Sequence, residues 1–86
     1  MNNTVGERQG KCVVYIEIEE KESTVICNCH IGTKNRKQFR MIIDKKTKEF
    51  IEKPEYSINV SAAYSCIFHL LDSGKPLPKR TVAEWG

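Results

Sequence analysis

Apolar and polar positions alternate along residues 12–19. Cys12, Val14, Ile16 and Ile18 fall on one side, and Val13, Tyr15, Glu17 and Glu19 on the other. A period of two with many β-branched residues predicts a half-buried strand. Residues 24–31 repeat the pattern, with Val25, Cys27, Cys29 and Ile31 against Thr24, Ile26, Asn28 and His30. The polar link Glu20–Ser23 joins the two runs as a hairpin. After a second, strongly basic link, residues 38–44 set Phe39, Met41 and Ile43 against Arg40 and Ile42. Residues 48–52 fit a short edge strand, flanked by Lys and ended by Pro54, both common protections for a sheet edge.

From residue 59 the period changes. Val60, Ala63, Tyr64, Ile67, Leu70 and Leu71 fall on one stripe at ~100° per residue, with Ser61, Ser65, His69 and Asp72 opposite. This predicts a helix over 59–73, started by Ser57 or Asn59 and stopped by Gly74 and Pro76. Its stripe fits the sheet face made by Val14, Ile16, Ile18, Val25, Cys27, Ile31, Phe39, Met41 and Ile43. The elements predict an α+β fold: a small antiparallel meander of three to four strands packed on one C-terminal helix, in the order β-β-β-β-α, with an extended tail. The expected organisation is a flexible lead-in over 1–10, a single domain over 11–74 and a Pro-containing tail over 75–86. In the tail, Thr81 to Glu84 has the spacing of a capping box, which predicts one helical turn. Trp85, the one tryptophan, either folds back on the core or anchors a partner.

One helix covers one face of such a sheet, so the other face must stay wet or meet a partner. Tyr15, Ile26, Arg40 and Ile42 fall on that second face, and apolar groups there with a polar rim mark a protein contact. Together with Trp85 they are the candidate partner-binding residues. The expected function is that of a small binding protein that regulates or inhibits a larger protein, or pairs with itself.

Composition adds a second reading. Eighty-six residues make one domain, and a charged fraction of 29% is that of a globular chain. The formal net charge is +3, but it is unevenly spread: residues 1–30 are net acidic, while residues 31–86 carry a net +5. Lys34, Arg36, Lys37, Arg40, Lys45 and Lys46 form a basic set able to follow a phosphate backbone, so nucleic-acid binding is the alternative function.

The cysteines raise a third reading. Cys27, Cys29, Cys66 and His69 are ligand types preferred by zinc. Strand and helix periodicity, however, puts Cys27 and Cys29 inward and His69 on the polar side of the helix, and Cys-x-Cys is one residue short of the usual knuckle. Burial of the thiols as small hydrophobes is the simpler expectation. The chain has no Gly-rich phosphate loop, no Gly-x-Ser-x-Gly and no His-Glu-x-x-His, so no catalysis, cofactor or small-molecule substrate is expected. The polar first residues and the lack of a long apolar run predict a cytoplasmic protein with no membrane contact.

Overall fold

The computed structural model of the chain describes residues 12–32 and 37–85. The elements follow in the order β1 (Cys12–Glu20), β2 (Thr24–Ile31), β3 (Lys37–Asp44), β4 (Phe50–Glu52), α1 (Ile58–Asp72) and β5 (Arg80–Trp85). The strands form one antiparallel sheet in the order β4-β3-β2-β1-β5. This is the expected α+β meander under one helix, enlarged by a fifth strand. The lead-in over 1–10 lies outside the described residues.

The pairing register fixes the two faces. Ile16 lies opposite Cys29, Cys27 opposite Met41, and Val25 opposite Ile43. These residues and Val14 are buried to within 3% of their surface, together with Ala63 and Ile67 from α1. The core is therefore one layer of side chains between sheet and helix, formed by the two periodicities read from the sequence. Ile26 opposite Ile42 places both on the other face.

Ser57 caps α1: its backbone is extended and its Oγ accepts the N–H of Val60 at 3.3 Å. At the far end Gly74 takes φ +75°, the left-handed conformation open to glycine, and its N–H donates to the Leu71 carbonyl at 3.3 Å. The helix is about 22 Å long at 1.5 Å per residue. Four strand spacings of about 4.8 Å separate β4 from β5. One helix of this length is enough to carry the chain from the β4 edge back to the β1 edge.

The tail departs from expectation. Arg80–Trp85 is not a helical turn; it pairs with β1 without a break, from Arg80 opposite Glu17 to Trp85 opposite Cys12. A single helical turn gains little against its nucleation cost. The second edge of a nine-residue apolar strand, by contrast, offers a full row of backbone partners. Pro76 and Pro78 keep the approach extended, and the Ile18 N–H donates to the Lys79 carbonyl at 2.8 Å to begin the ladder. Thr81, the would-be helix cap, instead turns toward the core side, where its Oγ1 lies 4.0 Å from Cys66 Sγ.

Candidate functional site: the open face of the sheet

Cross-strand pairing arranges the second face in rows. One row runs Val82, Tyr15, His30, Gln38; the next runs Arg80, Glu17, Asn28, Arg40; the third runs Glu19, Ile26, Ile42, Glu52. No described element lies over them. The Tyr15 and His30 rings stack with centroids 5.0 Å apart and planes 21° apart. Shallow open depressions flank this pair. One is lined by Glu17, Asn28, His30, Gln38 and Arg40. The other is lined by Tyr15, Glu17, His30, Arg80 and Val82.

Four of the five candidate partner-binding residues, Tyr15, Ile26, Arg40 and Ile42, thus share one face. The apolar members are half-buried rather than exposed. Side chains directly opposite on neighbouring strands stand about 5 Å apart and shade one another. The most exposed apolar group on the face is Val82, at 45%. The helical reading of the tail hid it, although the alternation of Arg80, Val82 and Glu84 against Thr81 and Ala83 carries the signal of a strand. Trp85 closes β5 opposite Cys12, and its side chain lies outside the described features.

Arg40 is held in place. Its Nε and Nη2 donate to the two carboxylate oxygens of Glu52, each at 3.1 Å. The hydrogen bonds and the charge of Glu52 raise the guanidinium's already high pKa further. Lys45 is also committed: its Nζ donates to Glu20 at 2.7 Å and to the carbonyls of Lys21 at 2.8 Å and Glu22 at 3.3 Å, tying together the two turns at one end of the sheet. Lys37 and Lys46 are exposed at opposite ends of β3, about 25 Å apart at the usual rise. Lys34 and Arg36 lie outside the described residues. The basic set therefore holds no continuous stripe among the described residues, and two of its cations already carry carboxylate partners.

The candidate zinc ligands are spread over two surfaces. Cys27 and Cys29 are buried on the inner face of β2, Cys66 is half-buried beside Thr81, and His69 is exposed with its ring edge-on to Phe68. Among the described residues no three His, Cys, Asp or Glu side chains are placed to hold a metal. Burial, reinforced by nearby cysteines, pushes the thiols of Cys27 and Cys29 from 9.0 up to about 12.

An unfolded thiol loses its proton near pH 9.0, while the buried one holds it to about 12. Stability is therefore intact below pH 9 and falls as the pH rises from 9 toward 12. The urea midpoint is expected to drop between pH 8 and pH 10.5. The drop should be smaller in a Cys27→Val, Cys29→Val variant, and an equal drop in both proteins would contradict this reading.

No helix among the described residues is long and apolar enough to cross a membrane. Comparisons with protein-family models, curated proteins and solved structures found no match to this chain.

Proposed function

We propose that this chain is a small non-enzymatic binding protein that regulates a larger protein by contact through its open sheet face. The observation that carries the reading is the arrangement of that face. Two apolar pairs, Tyr15 with Val82 and Ile26 with Ile42, lie among Glu17, Arg40 and Arg80, with no described element over them. An apolar centre inside a polar rim is the anatomy of a protein contact. The face covers roughly 500 Å² from strand spacing and rise, less than the ~800 Å² per partner of a standard interface. A stable complex therefore needs a partner that also reaches the loops or an edge.

Tyr15→Ala tests the assignment. The variant loses the stack on His30, worth about 1 kcal/mol, and keeps its fold because the ring lies outside the core. Affinity capture followed by mass spectrometry is expected to return a protein with the wild type and not with the variant. Retention of that protein by a folded Tyr15→Ala variant, or global unfolding of the variant, would defeat the reading.

The stacked Tyr15–His30 pair beside Arg80 gives direct nucleic-acid binding a specific foothold. It is the weaker reading, because Glu17 sits between the two arginines of its row and phosphate would have to displace Glu52 from Arg40. Its signature is an oligonucleotide complex that weakens steeply with salt.

A further inference from the structure

The two edges of the sheet are unlike. β4 is three residues long, sits beside a register shift at Ile42 and Ile43, and is followed by Lys53 and Pro54. These are the devices that keep an edge from pairing. β5 is six residues long, pairs with β1 in unbroken register and contains no proline. Its lysine lies before the strand, at position 79.

Backbone parity tells what β5 presents. The Lys79 carbonyl bonds to Ile18 of β1, so Lys79, Thr81 and Ala83 turn their backbone groups toward β1. In an antiparallel ladder the alternate residues turn theirs the other way. The N–H and C=O of Arg80 and Val82 therefore turn away from β1 along the edge; the Val82 carbonyl also lies 4.0 Å from Cys66 Sγ, a weak donor that leaves its second lone pair open.

We propose that β5 is a self-pairing edge: two copies of this chain join β5 to β5 in antiparallel fashion, about a two-fold axis at Val82, into one ten-stranded sheet. The strand's own residues select this register. With Val82 opposite Val82 of the second copy, Arg80 lies opposite Glu84 of the second copy on each side of the axis, and Thr81 opposite Ala83. Two opposite-charge cross-strand pairs form in each dimer, and a carboxylate accepts from several donors at once. Moving the axis to Arg80 or to Glu84 sets like charges face to face. Moving it to Ala83 sets Val82 against Glu84, and moving it to Thr81 sets Arg80 against Val82. The registers centred on Arg80, Val82 and Glu84 pair residues whose backbone groups already point outward, so no bond of the existing ladder has to break, and of these three only the Val82 register sets opposite charges together.

On the open face the pairing places the 45% exposed Val82 against its copy. Tyr15 is the neighbour of Val82 on β1, so one apolar strip runs through Tyr15, Val82, Val82 and Tyr15. This contact borders the open face and shares Val82 with it, but it is read by the oligomeric mass, a readout separate from the capture of another protein.

Light-scattering mass across a concentration series tests it. The wild type is expected to move from the 9.9 kDa chain mass to twice that value. Val82→Pro removes an outward N–H that β1 does not use, so it should keep the circular-dichroism spectrum and lose the dimer. Arg80→Glu and Glu84→Arg should each weaken the dimer at least about tenfold, and the double variant Arg80→Glu, Glu84→Arg should restore it. A wild type still monomeric at about 1 mM, where even weak specific pairs form, overturns the proposal. So does a dimer indifferent to Val82→Pro, or a double variant no better than the single ones.

Discussion

Ending the chain after Lys79 is expected to give a protein that aggregates instead of remaining a folded monomer. The truncation removes the strand that covers the second edge of β1, and it takes Ala83 out of the core opposite Val14. The ladder lost comprises six residue pairs, and each net backbone hydrogen bond contributes about 1 kcal/mol. A domain of 86 residues has about 4–13 kcal/mol in total, so losing several is most of the margin. The exposed edge is also long, regular and rich in Val and Ile, which makes it a template for other chains. Sedimentation of the truncated protein after purification checks the expectation. A soluble truncated chain with the wild-type urea midpoint would mean that residues 80–86 contribute nothing to the fold.

The second large effect is expected at Ile67. This side chain is fully buried at the centre of the helical stripe, against a sheet face whose neighbours Met41 and Ile43 are fully buried too. Ile67→Ala leaves a cavity that close-packed neighbours fill only in part, costing about 2–5 kcal/mol. With a urea dependence of about 1 kcal/mol per molar for a protein this small, the unfolding midpoint should fall by at least about 2 M. Phe68, the next residue, is 38% exposed and touches Tyr64 and the Lys48 ammonium at the helix flank. Phe68→Ala should cost about 1 kcal/mol or less, within the usual range for a surface change. If Phe68→Ala proved the more damaging of the two, the helix would pack on the sheet by a different face.

The strands and helix that show a clean period were legible in the sequence. Val14, Ile16 and Ile18 alternate with Tyr15 and Glu17 because the strand is wet on one side only, and Val60, Ala63 and Ile67 repeat at helical spacing because the helix meets a flat sheet. The same alternation brought Tyr15, Ile26, Arg40 and Ile42 onto one face. The fifth strand was not legible, because Thr81 and Glu84 satisfy a local helix rule, whereas the gain that decides the conformation comes from β1, more than sixty residues earlier in the chain. Local spacing cannot register a ladder with a distant partner. The same distance hid Val82 and Arg80 as members of the open face. It also hid the commitments of two cations: Arg40 finds Glu52 across the β3–β4 pairing, and Lys45 finds Glu20 across two turns. Charge counted along the chain overstated the basic surface, because pairing in space neutralises part of it.

Partners are expected to meet the open face and not the helix. A photo-crosslinking side chain at Asn28, in the middle row of that face, and another at exposed Ser65, on the outer side of α1, address this directly. The account predicts a covalent adduct with one other protein from position 28, and none with that protein from position 65. Adducts from position 65 with none from position 28 would contradict it and move the contact to the helical side.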